Sequence, residues 1–214
     1  MRLIFMRHPA VEFATLRCIG QTDVDLSMEG KSTLKSLAEE ACRLLPDQIL
    51  SSDLKRCRLL AERIADRLRI KPVFDPIWRE IDFGLWENRT WDAIRREEAD
   101  AFSEWVADFV RTPAPGGESF WQLQKRTLVA ISRIDPTSST VLVVTHAGVI
   151  RAAHSAFADL PLSRAFDYNI PCGGMLNLAG VRSVGAVKRC QFTAGNGCEG
   201  PQPSKPLLSA NVEH

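Results

Sequence analysis

The sequence predicts an α/β fold, a three-layer α/β/α sandwich with a largely parallel central sheet. Three observations predict it. Short apolar runs alternate with longer segments whose apolar residues recur at helical spacing, the pattern of strand and helix units that build such a sheet. The most β-branched of these runs, Thr140 to Thr145, is apolar in its middle without a break, as in a strand covered on both faces. No internal repeat occurs, and no glycine-rich fingerprint of the dinucleotide or P-loop kind, which argues against the nucleotide-binding members of this class.

Arg2 to Met6 is the first strand, bounded by Arg7, His8 and Pro9, and a loop then runs to about Leu26. Ser27 is placed as an N-cap, and Leu34, Leu37, Ala38, Ala41, Leu44 and Leu45 form a helical stripe that Pro46 stops. Gln48 to Leu50 falls where a strand between two helices belongs. Asp53 is expected to cap the next helix, whose inner face is Leu54, Cys57, Ala61, Ile64, Ala65 and Leu68. Lys71 to Phe74 is a further strand candidate. A Trp-rich stretch, Trp78 to Trp91, leads into one helix carrying Ile94, Phe102, Trp105, Val106 and Phe109 inward, with Arg95 to Glu98 as a solvated face. Thr112 to Gly117 is a loop, and a third amphipathic helix runs from Glu118 with Phe120, Leu123, Leu128, Ile131 and Ile134. Thr140 to Thr145 turns through His146, Ala147 and Gly148 into a helix from Val149 to Phe157, and Leu176 to Leu178 with Val181 to Val187 supplies a closing hairpin.

A chain of 214 residues, 45% of them hydrophobic, is long enough to bury a core as one domain. Residues 1–190 are assigned to it, and residues 191–214, rich in Gly, Pro, Ser and Asn, to a flexible tail. Lys and Arg number 27 against 26 Asp and Glu, so no field of one sign points to nucleic acid or an anionic membrane surface. The basic groups for any anionic ligand have to be local. No run approaches a membrane span or a signal core. The six cysteines show no metal-ligand spacing. A cytoplasmic protein with reduced thiols, no metal and no cofactor is expected, and a homodimer is left open.

Ligands of open α/β sheets bind beyond the carboxyl ends of the strands. His8 stands just past the first strand and His146 just past the strongest one. Either alone would read as a hydrogen-bonded loop residue, but two at equivalent strand ends point to a site. Arg56 lies in the first turn of its helix, where free N–H groups and the helix dipole already favour an anion and a guanidinium can pair with a phosphate. Taken singly it would be a solvated arginine like Lys55 and Arg58. His154 reads as a packing or surface residue, and Trp91, Trp105 and Trp121 as core, while the segment Trp78 to Phe109 is expected to shape one side of the site.

In order along the chain stand Leu3-Ile4-Phe5-Met6-Arg7-His8-Pro9, Ser51-Ser52-Asp53-Leu54-Lys55-Arg56-Cys57, Arg79-Glu80-Ile81-Asp82-Phe83-Gly84-Leu85-Trp86-Glu87 and Val143-Val144-Thr145-His146-Ala147-Gly148. This series resembles the histidine phosphatase superfamily, the phosphoglycerate mutase-like fold, over about residues 1–180. Pro115-Gly116-Gly117-Glu118-Ser119 matches a further segment of that family. The resemblance implies a pocket of Arg7, His8, Arg56 and His146 around a phosphate, with His8 as nucleophile and Glu80 as proton donor. A neutral imidazole can attack phosphorus in line, and arginines can take the charge-neutralising part that Mg²⁺ plays elsewhere. A carboxyl group shielded by Trp78, Phe83 or Trp86 would then supply the leaving group's proton. Spacing alone would not choose Glu80 over Asp82 and Glu87; the family segment does.

Two positions depart from the family pattern. Pro9 replaces the usual glycine after the nucleophile and removes one backbone N–H from the pocket rim. Ala14 stands where an asparagine commonly contacts phosphate, so Gln21 or a backbone amide near Gly20 is expected to replace it. Cys18 to Asp23 and Phe109 to Ser119 look most like the α-ribazole phosphatase-type branch, which implies a small phosphorylated substrate, α-ribazole 5′-phosphate among them. Phosphatases of other monoesters, a mutase and a non-catalytic phosphate-binding module are the alternatives.

Overall fold

The computed structural model describes residues 1–14, 16–181 and 189–193. Among them the elements run β1 (Arg2–Arg7), α1 (Met28–Cys42), β2 (Gln48–Ser51), α2 (Lys55–Leu68), β3 (Val73–Phe74), α3 (Trp91–Glu97), α4 (Ala99–Ala107), α5 (Phe120–Ser132), β4 (Thr140–Thr145), α6 (Ala147–Phe157), β5 (Met175–Ala179) and β6 (Arg189–Thr193), with short 3₁₀ turns at Pro76–Trp78, Gly84–Trp86 and Leu162–Asp167. The strands form one sheet in the order β3-β2-β4-β1-β5-β6. β1 to β4 are mutually parallel, and β5 runs antiparallel to both β1 and β6.

Because successive strand residues face opposite ways, each central strand feeds two cores. Ile4 and Met6 of β1 with Leu142 and Val144 of β4 pack under Leu37, Ala38 and Ala41 of α1 and Leu60 and Ile64 of α2. Leu3, Phe5, Val141 and Val143 face the other way, onto α5, α6 and the aromatic residues between Trp78 and Phe120. Both faces are covered, which is why these strands are apolar throughout. The three-layer sandwich and its largely parallel sheet are those the sequence predicts.

Besides shifts of one or two residues at other element ends, the structure departs from the sequence reading in four places. Ser27 does cap α1, its side chain accepting from the Gly30 amide, but the helix ends at Cys42; Leu45 adopts φ 49° and stays exposed, because a tight turn and not another helical turn leads to Pro46. Asp53 does not cap α2, since its carboxylate is taken by Arg79 at 2.7 and 2.5 Å, and the helix start is met instead by Asp23, which accepts from the Lys55 amide. The single helix expected after Trp91 is two, broken at Glu98, whose carboxylate accepts from the Trp86 indole and from Arg89 and is not merely solvated. The strand paired with β5 is β6, which takes in residues 191–193 of the expected tail; residues 182–188 and 194–214, including the rest of the expected hairpin and tail, lie outside the described residues.

No helix among the described residues is long and apolar enough to cross a membrane. Cys18, Cys42, Cys57 and Cys172 are free thiols.

Leu142 sits at the centre of β4, between β1 and β2, and is wholly buried. Leu142→Ala is expected to lower the unfolding free energy by about 2–5 kcal/mol, measured by urea denaturation; a loss below about 1 kcal/mol would contradict this packing.

Candidate active site

β1 and β4 are parallel neighbours in a register that sets Arg7 beside Thr145. The two strands therefore end at one level, and the residues that follow, His8 and His146, leave the sheet side by side with ring centroids 5.1 Å apart at 62°. The His8 amide donates to the Thr145 carbonyl at 3.0 Å, which prolongs the ladder by one step and holds the first ring against the second. β2 ends on the other side of β4, so Ser51 and Ser52 and the start of α2 complete the crevice.

Hydrogen bonds assign the protons. His8 Nδ1 lies 2.6 Å from the Pro9 carbonyl oxygen, which can only accept, so Nδ1 carries the hydrogen and Nε2 keeps its lone pair. In His146 the assignment is reversed: Nδ1 accepts from Arg56 Nε at 3.2 Å, which puts the hydrogen on Nε2, 2.9 Å from Ser52 Oγ. Both rings are held neutral. Burial, then the positive charges of Arg56 and Arg7, hold the His8 pKa well below the ordinary imidazole value, the Pro9 carbonyl opposing weakly. Burial and the Arg56 charge do the same for His146, with His8 and Arg7 adding to them. The Cys57 thiol lies 3.4 Å from His146 Nε2 and is pushed up to about 12 chiefly by burial, so it is an inert packing group.

Arg56 is only 1% exposed, and each of its three guanidinium nitrogens donates to a group of the crevice. Nη1 donates to the Thr22 carbonyl at 2.8 Å and Nη2 to the Gly20 carbonyl at 2.5 Å, while Nε holds His146. These carbonyls are aimed inward by Glu87, whose carboxylate accepts from the Gly20, Gln21 and Thr22 amides and the Thr22 hydroxyl at 3.2, 2.8, 3.0 and 2.5 Å. Arg7 donates through Nη1 to the Ile170 carbonyl at 2.5 Å, but its Nε is buried with no partner among the described residues. A buried donor left open on a cationic crevice is a place for an anion's oxygen.

Glu80 sits at the start of α6. Its carboxylate accepts from the amides of Ile81 at 3.0 Å and Gly148 at 3.1 Å. The approach is close: a Cβ on Gly148 would lie 2.1 Å from Glu80 Oε1 and would push the carboxylate out of this position. Arg126 of α5 holds the backbone of this segment, donating to the carbonyls of Ile77, Arg79 and Glu80 at 2.7, 2.8 and 3.2 Å. Arg126 is itself paired with Glu118, which accepts from the Asp82 amide at 3.0 Å. Arg7, Glu80 and Gly148 line a pocket of about 170 Å³ that continues to Phe83, Trp105, Phe166 and Arg151. A larger open hollow of about 430 Å³, beside Glu62, Asp66 and Lys71 at the far end of α2, contains none of these groups.

All five residues selected from the sequence, Arg7, His8, Arg56, Glu80 and His146, meet at this one crevice. Arg56 is not a solvated arginine, whereas Lys55 and Arg58 are, in exposed pairs with Asp25 and Glu62. The structure also separates the three acids: Glu80 lines the pocket, Asp82 accepts from the Gly84 amide, and Glu87 holds the 20–22 loop. Of the three aromatic residues expected around Glu80, Phe83 shares its pocket; Trp78 packs on Phe5, and Trp86 on Phe102 and Trp105.

The expected substitutes for the missing asparagine are not free. The Gly20, Gln21 and Thr22 amides are held by Glu87, Gln21 Nε2 donates to the Glu80 carbonyl at 3.3 Å, and Ala14 is exposed. Trp105 is buried but lines the pocket, and Trp121 is half-exposed with Lys125 over its ring, so neither is simple core. His154 is a packing residue between Tyr168 and Phe192, as expected. Sequence reasoning missed Ser52, Glu87, Arg126 and Arg151. Ser52 and Glu87 stood inside the motif segments; Arg151, four residues after Ala147 on the same face of α6, was legible only as a helical neighbour of the site. Among the described residues no group of three His, Cys, Asp or Glu side chains is gathered as a metal site.

The family profile of the histidine phosphatase superfamily (branch 1) matches residues 3–191. Phosphoserine phosphatase 1 of Hydrogenobacter thermophilus is 30% identical over 171 residues, covering 78% of this chain and 81% of the relative. The probable phosphoglycerate mutase GpmB of Escherichia coli O1:K1 is 31% identical over 164 residues, 75% and 76% of the two chains. The crystal structure of the α-ribazole phosphatase from Shigella flexneri superposes with a TM-score of 0.78 over 85% of this chain and 92% of its own, at 22% identity, which is a likeness of fold.

Burial lowers the pKa of His154 as it does those of His8 and His146. Below the unfolded value near 6.5 the unfolded chain takes up protons that these three native imidazoles refuse, so stability is full above that pH and falls beneath it, by up to about 1.4 kcal/mol per pH unit for each histidine. The melting temperature is expected to drop between pH 7 and 5.5, and His154→Phe to flatten the drop by about one proton's share; a pH-independent melting temperature over that range would contradict this burial.

Proposed function

This chain belongs to the histidine phosphatase superfamily, branch 1, and from that premise we propose that it is a metal-independent phosphomonoesterase working through a phosphohistidine on His8. The observation that carries the reading is the pair of opposite tautomers. His8 offers an Nε2 lone pair to phosphorus, and its Nδ1–H, already bound to the Pro9 carbonyl, stabilises the positive charge that the ring gains as the N–P bond forms. The ester P–O bond breaks in the same displacement, and the leaving oxygen takes a proton from the Glu80 carboxyl group at the mouth of the pocket. Water then attacks phosphorus and gives a proton back to Glu80 as the N–P bond breaks, releasing inorganic phosphate and restoring neutral His8.

Arg7 and Arg56 are the phosphate-binding cations. The orphaned Arg7 Nε and the two guanidinium N–H groups of Arg56 that the carbonyls and His146 leave over supply donors for the equatorial oxygens. His146 contributes beside them, its ring held by Arg56 and Ser52. With Pro9 and Ala14 in place of the family's usual residues, the guanidinium groups carry the anion. α-Ribazole 5′-phosphate, sugar phosphates and phosphoglycerates are the monoesters to screen, α-ribazole phosphate on the strength of the Cys18 to Asp23 and Phe109 to Ser119 segments.

Hydrolysis of an aryl phosphate should continue in the presence of a chelator and be lost in His8→Ala, and brief incubation with labelled substrate should leave an acid-labile, base-stable phosphoryl group on the wild type only. A protein that binds phosphate but never takes up that label would be a binding module instead. Glu80→Gln should lower kcat about 10²–10⁴-fold for alkyl phosphates and much less for an aryl ester with an acidic phenol, whose leaving oxygen needs no proton; an equal loss on both would contradict the role of Glu80.

A further inference from the structure

The pocket beyond Glu80 contains a cation that the phosphate chemistry does not use. Arg151 projects from α6 into it, half-buried. Its Nε donates to the Tyr168 carbonyl at 3.2 Å and its guanidinium lies 4.9 Å over the Phe166 ring, an arrangement that fixes the plane of the group and leaves its outer edge of N–H donors open. No partner for the terminal nitrogens and no carboxylate within ion-pair distance of them exists among the described residues. A second unpaired donor belongs to the same pocket: the Trp105 indole N–H, buried with no hydrogen-bond partner there. Phe83, Phe109, Phe120 and Phe166 supply further aromatic walls.

These walls and donors are continuous with the reacting groups, since Arg7 and Glu80 line the same cavity. An ester oxygen that takes its proton from Glu80 therefore carries its substituent toward the rings. A partly desolvated guanidinium with no ion-pair partner is costly, and burial with the neighbouring Arg7 charge pushes its pKa down to about 10 against the opposing charge of Glu80. An anion on the substituent would relieve that cost. We propose that Arg151 selects phosphomonoesters whose leaving group carries a carboxylate on a flat apolar frame, the frame lying among the aromatic rings and the carboxylate pairing with the open edge of the guanidinium. The proposal rests on the phosphatase reading above and narrows its substrate class.

The experiment compares kcat/KM for 4-carboxyphenyl phosphate and its neutral 4-carboxamide counterpart, in the wild type, Arg151→Met and Arg151→Lys. The wild type is expected to favour the carboxylate roughly 10- to 100-fold, the range of a charge-assisted hydrogen-bonded pair. Arg151→Met should bring the ratio near one and Arg151→Lys should keep part of it, whatever happens to the absolute rates. A wild-type ratio near one overturns the proposal. So does an Arg151→Met variant in which both esters fall together, because that is the signature of a residue that only holds the Tyr168 segment or touches the transferred phosphate. If neither ester is turned over, the phosphatase reading fails, and the wild-type affinities for 4-carboxybenzyl phosphonate and its carboxamide, measured by calorimetry, decide the role of Arg151 separately: a preference for the carboxylate that Arg151→Met abolishes supports it, and equal affinities overturn it.

Discussion

A guanidinium cannot be buried to the extent of Arg56 unless its N–H groups find partners, because the desolvation of an unpaired charge costs several kcal/mol. Much of the crevice can be read as the answer to that demand. The Gly20 and Thr22 carbonyls face inward to accept from it, and they face inward because Glu87 gathers the amides of the same loop from behind. A third donor, Nε, falls on His146 Nδ1 and settles that ring's tautomer. One buried charge thus orders a loop, the Glu87 carboxylate and a histidine, and the crevice stays cationic because Glu87 touches the loop amides and not the guanidinium.

The sheet supplies the complementary constraint. Parallel pairing of β1 with β4 brings two residues 138 positions apart to the same level, and the alternation of faces sends the neighbouring side chains into two separate cores. The site sits where those strands stop, so it inherits the rigidity of the most buried part of the protein. On one side α2 brings Arg56; on the other α6 brings its Gly148 amide to Glu80 and, a turn later, Arg151 to the aromatic pocket. Arg126 and Glu118 tie the Glu80 segment to α5, so that the carboxylate is held by α6 and its backbone by α5 although it lies on irregular chain.

Much of this was legible in order along the chain. Apolar runs at β1 and β4, the Ser27 cap and the stripes of α1, α2 and α5 follow from local periodicity, and local periodicity suffices because both sheet faces and one face of each helix must be buried. The failures have a common cause. Asp53 looks like a cap until Arg79 is seen to take its carboxylate, and the helix after Trp91 looks continuous until Glu98 is seen to be needed by Trp86 and Arg89. In each case a local preference was outweighed by a charged or polar partner distant in sequence, which no window of neighbouring residues contains.

The sequence by itself determined the layered α/β class and the placing of His8 and His146 at strand ends, since these depend on periodicity and on where the apolar runs stop, and its resemblance to a family pointed to Arg7, Arg56 and Glu80. Only the tertiary structure decided which nitrogen of each imidazole carries its hydrogen, that Glu80 and not Asp82 or Glu87 reaches the pocket, that the amides near Gly20 are already taken, and that Arg151 stands open among aromatic rings. These are facts about which donor meets which acceptor across the fold. Burial makes each such pairing obligatory, and burial exists only once the chain has closed on itself.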